Sequence, residues 1–227
     1  MRGRVREGET QLYFGLAGRC TLEAPSLPLA AGSSGAAGHG EHVDIRRGVS
    51  VLVPPGATHE LSTDSGQHDG CSLVTASLLS GPWLDLVDGG GTNSSATAAV
   101  ARLRVVDDAK LPPQRTAHES SLLSKRVHVR RGLVPGLLQV SVSRFEPGAV
   151  CELHSHPTAT EVYVNFAGAG CHLKAVVGIG ATQRDEVYDL TGGHADVLNP
   201  GTPHDAWNEG SGPCENFNMM LADPQEP

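Results

Sequence analysis

The chain has 227 residues and a formal net charge of −8 at pH 7, with 28 glycines, 15 prolines and 4% aromatic residues. The acidic balance argues against a nucleic-acid partner, whose phosphates require a basic surface. Abundant glycine and proline beside few aromatics suit an all-β protein rich in turns better than a helical bundle, and no apolar run approaches a membrane span.

In chain order, the N-terminus (MRGRVREGE) is charged and has no apolar core, so no secretory signal is expected. The expectation is a cytoplasmic protein, with a cleaved organelle transit peptide left open. Arg2, Arg4 and Arg6 form one basic cluster and residues 125–131 (KRVHVRR) another. Both read as solvated strand edges, with a local anion site as the sharper alternative. Residues 11–22 read as a strand, a glycine turn and another strand, residues 24–40 as a long Ala/Gly/Ser/Pro loop, and 43–53 as a strand ending in the turn Pro54-Pro55-Gly56 before His59. Residues 74–79 are another apolar strand. The Gly-rich stretch at 89–95 has linker chemistry. The division predicted is a first domain at 1–86, a linker at 87–114 and a second domain at 115–227. In that second domain strands are predicted at 126–130, 137–145, 150–156, 161–166, 172–177, 186–190, 195–198 and 215–221, which means a sandwich or barrel.

Five cysteines, an odd number without a CxxC pair, argue against a disulfide framework and for a reducing compartment. The chain also carries a diverged internal repeat. GVSVLVPPGATH at 48–59 aligns without gaps on GHADVLNPGTPH at 193–204, and upstream of each lies a similar pair, QLYFGLAG at 11–18 and EVYVNFAG at 161–168. Two copies in one order argue for a duplicated domain.

The chemistry concentrates between Gly148 and Gly168, where His154, His156 and Glu161 lie, and at His204 downstream. Three imidazoles and a carboxylate are a transition-metal ligand set, and they leave two of six octahedral positions open for water, oxygen or substrate. Alternate strand residues share a face. His154 and His156 therefore point together, with Val150 and Glu152 on the same face and Cys151 turned away from the metal as packing. Glu161 begins the returning strand, with Tyr163 and Asn165 on its face, and His204 comes from a third strand. Tyr163 and Glu152 are the candidate acid/base residues. His39, His42, His68, His118, His128 and His194 read as surface or hydrogen-bonded side chains, and His59 as a vestige.

These residues resemble the cupins, specifically the two-domain cupins. The first motif of that family, G-x5-H-x-H-x3–4-E-x6-G, is matched by Gly148, His154, His156, Glu161 and Gly168. The second, G-x5-P-x-G-x2-H-x3-N, is matched by Gly193, Gly201, His204 and Asn208, with Asn199 where proline is usual and Pro200 next to it. In the N-terminal copy Gln11 replaces the glutamate, Thr63 the asparagine, and counting back puts Arg4 and Arg6 at the positions of the two histidines. The resemblance implies an all-β chain of two tandem jelly-roll β-barrels, the N-terminal one diverged or truncated and metal-free. It implies one divalent transition metal per chain on His154, His156, Glu161 and His204. Fe(II) is favoured, and the same ligands serve Mn, Ni, Co and Zn. The family's fold does not fix its function. The reading is a metal-dependent enzyme for a small polar metabolite, foremost an Fe(II)-type oxygenase. The alternatives are a sugar or uronate isomerase or epimerase using Mn or Zn, and a non-catalytic metabolite- or metal-binding cupin. A homodimer is the expected assembly.

Overall fold

A computed structural model describes residues 2–24, 42–63, 70–79, 103–131, 133–134 and 136–222. The predicted loop beyond Ala24 and the Gly-rich stretch at 89–95 lie outside them. The chain divides into two units, Met1–Lys110 with Gly132–Pro135, and Leu111–Arg131 with Gly136–Pro227.

The first unit is built from β1 (Arg2–Arg4), β2 (Glu9–Glu23), β3 (His42–Arg46), β4 (Val49–Val53), β5 (Thr58–Thr63), β6 (Cys71–Leu79) and β7 (Arg104–Asp107). Strand β2 is the spine. Its first half pairs with β4 and β6, its second half with β3 and β5, and all these pairings are antiparallel. Its apolar side chains Leu12, Tyr13, Phe14, Cys20 and Leu22 are buried. Strand β7 pairs with β4, so the stretch 87–114 predicted as linker carries a strand of the first unit. Arg104–Asp107 is too short for its alternation to mark it in sequence, and Val105 and Val106 are buried through that pairing.

The second unit contains β8 (Gln114–Arg115), β9 (Leu123–Arg130), β10 (Leu137–Phe145), β11 (Val150–His154), β12 (Ala159–Ala167), β13 (Cys171–Val177), β14 (Arg184–Asp189), β15 (Ala195–Leu198), β16 (His204–Asn208) and β17 (Cys214–Ala222). They form a six-stranded sheet, β15-β12-β17-β10-β9-β8, and a four-stranded sheet, β11-β16-β13-β14. Inward side chains of both sheets, among them Phe145, Cys151, Tyr163, Leu173, Leu198 and Ala206, make one core. The prediction of an all-β jelly-roll architecture holds.

The repeat is visible in the corners. Gly18 and Gly168 both have positive φ, 69° and 82°. A Cβ on Gly18 would lie 2.0 Å from Gly70 O, and one on Gly168 would lie 2.3 Å from Pro213 O. Only glycine fits where the chain turns this tightly against the residue before a cysteine. Beside each corner stands a disulfide, Cys20–Cys71 in the first unit and Cys171–Cys214 in the second, with Cα–Cα distances of 5.6 and 6.3 Å. This corrects the expectation of unpaired thiols. The partners are 51 and 43 residues apart, a spacing without any pairing signal, and only strand register brings them together. Cys151 is the free cysteine. No helix among the described residues is long and apolar enough to cross a membrane.

Candidate metal centre

Three segments of the second unit deliver the four predicted ligands to one place. Strand β11 brings His154, the turn after it brings His156, β12 brings Glu161 and β16 brings His204. His154 pairs directly opposite His204 in the β11–β16 ladder. Gly201 N–H donates to His156 O at 2.9 Å, which ties the turn before β16 to the turn after β11. Asn208, the last residue of the second motif, locks the far end of β16. Its Nδ2 donates to Phe145 O and Gly212 O, both at 2.9 Å, and its Oδ1 accepts from Gly210 N–H at 2.8 Å.

The four side chains offer ligand atoms that all lie within 4.8 Å of one another. Glu161 Oε2 is 3.1 Å from His156 Nε2 and 3.3 Å from His204 Nε2. Ligands at right angles around one ion, with bonds of about 2.1 Å, stand about 3 Å apart. Glu161 Oε2 and His204 Nε2 are buried and neither has a hydrogen-bond partner of acceptable geometry. Two such orphans facing each other are costly in an interior and suit a shared cation. The imidazole tautomers are set from behind, because His154 Nδ1–H donates to Glu152 O at 2.8 Å and His204 Nδ1–H to Thr202 O at 2.9 Å. Both Nε2 lone pairs are left for the centre. The residues present fit a divalent transition metal, held by three imidazole nitrogens and one carboxylate oxygen.

Tyr163 is buried beside Glu161, its ring 6.2 Å from that of His204. Burial and then the Glu161 charge hold its phenol well above the ordinary value, so the hydroxyl stays protonated. Glu152 is a correction. It was expected on the ligand face, but its side chain is exposed and accepts from His118 Nδ1 at 3.0 Å and from Glu119 N–H at 3.2 Å. The cause is a register shift in β11 between Cys151 and His154. The irregularity puts two successive residues, Glu152 and Leu153, outside and turns Cys151 inward. Cys151 is therefore not turned away from the site. Its Sγ is 3.9 Å from His154 Nδ1 and 3.2 Å from His118 Nε2, and burial first, then the charge of Glu161, pushes its thiol up to about 12. His118 is the residue that sequence reasoning missed. It sits between β8 and β9 in a stretch without strand periodicity, and only its neighbours in space single it out. Lys174 pairs with Asp205 at 2.8 Å, and Arg144 with Glu146 and Glu215 at 2.7 and 3.2 Å.

No family model and no curated protein sequence matches the chain. Solved structures do. A glyoxylate-induced protein from Pseudomonas aeruginosa matches with a TM-score of 0.64 at 14% identity, over 98% of this chain and 69% of its own. The fold is that of the cupins. Lactobacillus farciminis oxalate decarboxylase, solved as a formate complex, gives 0.58 at 16% identity over 97% of this chain and 72% of its own. Bacillus subtilis oxalate decarboxylase, in a study of its Mn(II) centres, gives 0.59 at 12% identity over 100% and 69%. At such identities the likeness establishes the cupin fold.

Proposed function

We propose that the chain is a metal-dependent enzyme acting on a small polar metabolite at the centre formed by His154, His156, Glu161 and His204. The carrying observation is the pair of buried, unpartnered ligand atoms, Glu161 Oε2 and His204 Nε2, facing each other beside two further imidazoles. A bound Fe(II) or Mn(II) supplies Lewis acidity and, with dioxygen, redox chemistry at its open positions. The protein does the rest. Glu161 lowers the charge of the centre, the Glu152 and Thr202 carbonyls fix the rings of His154 and His204, and Tyr163 Oη donates its proton toward a substrate oxygen. The core around Tyr163 and Leu198 keeps bulk water from the buried side of the centre.

The leading reading is an Fe(II)-type oxygenase, because four protein ligands would leave room on such an ion for substrate and dioxygen. A second reading, Mn(II)-dependent cleavage of a small carboxylate, is favoured by the oxalate decarboxylases among the similar structures. Protein reconstituted anaerobically with Fe(II) or Mn(II) separates them when oxygen uptake and carbon dioxide release are followed over a panel of diols, phenols, keto acids and dicarboxylates. Stoichiometric oxygen consumption with Fe(II) supports the first, and carbon dioxide release without net oxygen consumption supports the second. Tight metal binding with no turnover of any panel member counts against both. With a substrate in hand, Tyr163→Phe should lower kcat by about 10²–10⁴ and leave metal content unchanged.

A further inference from the structure

The first unit contains a chemical arrangement that the metal reading does not use. Segment 2–6 runs beside β5, and Gly3 pairs opposite His59 as His154 pairs opposite His204. Register thus places Gly3, and not Arg4, against the histidine. Val5 is buried, while Arg4 and Arg6 on either side of it are exposed. Both arginines line a cavity of about 380 Å³ together with Gln11, Tyr13, His59 and Ser77. This is where the repeat would put a metal centre, and its chemistry is inverted.

Gln11 stands at the position of Glu161, and its Oε1 accepts from Ser77 Oγ at 2.7 Å. His59 Nε2, the counterpart of a ligand nitrogen, is engaged with Tyr13 Oη at 2.6 Å. The carboxylate that lines the cavity, Glu9, lies 3.7 Å from Arg6. Two guanidiniums against this one carboxylate leave the lining net positive. A divalent cation would meet repulsion here, and an anion would meet attraction. The donors fit one as well. Gln11 keeps its Nε2 hydrogens to donate, because its oxygen is already used. Tyr13 Oη and His59 Nε2 share one hydrogen bond across the floor of the cavity. Val5 and Leu61 give the cavity an apolar side, and its volume falls at the small end of ligand pockets.

We infer that this cavity binds a small organic carboxylate, its charged end held by Arg4 and Arg6 and by the Gln11 amide, its short carbon body against Val5 and Leu61. The inference is independent of the reaction at the C-terminal centre. Titration calorimetry with propionate, succinate, propionamide and inorganic phosphate, on metal-free and metal-loaded full-length protein, tests it. Propionate or succinate should bind saturably and with the same affinity in both forms, and propionamide should not bind. Arg4→Gln with Arg6→Gln should weaken binding roughly tenfold to a hundredfold with unchanged Tm and metal content, and Glu9→Gln should tighten it. Carboxylate binding that disappears with the metal would assign the ligand to the other unit and overturn the inference. So would equal binding of propionamide, tighter binding of phosphate than of either carboxylate, no saturable binding of any probe, or an unchanged affinity in the folded double variant.

Discussion

Glu161 Oε2 lies 3.1 Å from His156 Nε2 and 3.3 Å from His204 Nε2, close enough for the carboxylate and the His204 imidazole to set each other's charge in the metal-free protein. Burial works to raise the Glu161 carboxyl, and His156 and His204 outweigh it, leaving it at about 2. Burial works to lower the His204 imidazole, and Glu161 with the Thr202 carbonyl outweighs it, leaving it above its ordinary 6.5. The carboxylate's contribution to stability is present above 4.5, its ordinary value, and is lost as pH falls through about 2. The imidazole's contribution is present below 6.5 and is lost as pH rises through its raised value. The metal-free protein should therefore gain most from this pair between 4.5 and 6.5, which denaturant midpoints across pH would read. Metal requires the His204 imidazole neutral, so loading should begin to fall as pH drops through its raised value, above 6.5. Glu161→Gln removes the charge in both states. It should weaken metal retention by at least the ~10–100-fold that loss of an outer partner of a ligand costs, checked by metal-to-protein ratio after dialysis.

At the scale of the element, β11 decides what faces the site. Its alternation correctly brings His154 toward His204, yet the same alternation puts Glu152 inside and Cys151 outside, and the structure has them reversed. Alternation assumes one residue against one. The irregularity between Cys151 and His154 breaks that count without leaving a mark in VCELH, a stretch with no glycine or proline to signal it. The returning strand β12 has no such break within Glu161–Asn165, and Glu161, Tyr163 and Asn165 are all buried together, as a period of two requires. Legibility thus follows regularity: ligands at fixed motif spacing could be read, whereas His118, which reaches Cys151 from a non-periodic segment, could not. The inward position of Cys151 has a measurable consequence. It is buried and its thiol is held up to about 12, so almost no thiolate exists at pH 8. The folded protein should resist iodoacetamide at this cysteine, and alkylation should appear only on unfolding. Rapid modification of native Cys151 would place it on the surface and contradict the register of β11.

Across the whole molecule the two copies have kept different things. Glu161 has become Gln11, and the two arginines have come to the cavity where the other unit gathers imidazoles, but the stapled corner is present twice. In both units a glycine of positive φ presses on the residue before a cysteine, and that cysteine pairs with one just past the corner. The strand pairs joined are equivalent, β2 to β6 and β13 to β17. Closing loops of 43 and 51 residues removes chain entropy from the unfolded state worth about 4 kcal/mol each in the simplest account, with 2–4 kcal/mol typical of measured bridges. A unit that has lost its ligand set still needs this, because the bridge acts on the fold and not on the site. Bridges of this kind persist in oxidising surroundings, which runs against the reducing compartment expected from the odd cysteine count. Peptide mapping without reductant should recover Cys20 linked to Cys71 and Cys171 linked to Cys214. Reductant, or Cys171→Ala with Cys214→Ala, should lower unfolding free energy by about 2–4 kcal/mol, and reductant should shift the double variant only by what the first-unit bridge contributes. Because Cys171 opens β13 and β13 pairs with β16, which carries His204, loss of the second bridge should also speed metal release. Loss of the first bridge should destabilise its own unit and leave the metal content of the folded protein intact. If reduction changed neither denaturant midpoint nor metal release, the corners would be held by glycine geometry and packing alone, and the cysteines would be ordinary core residues.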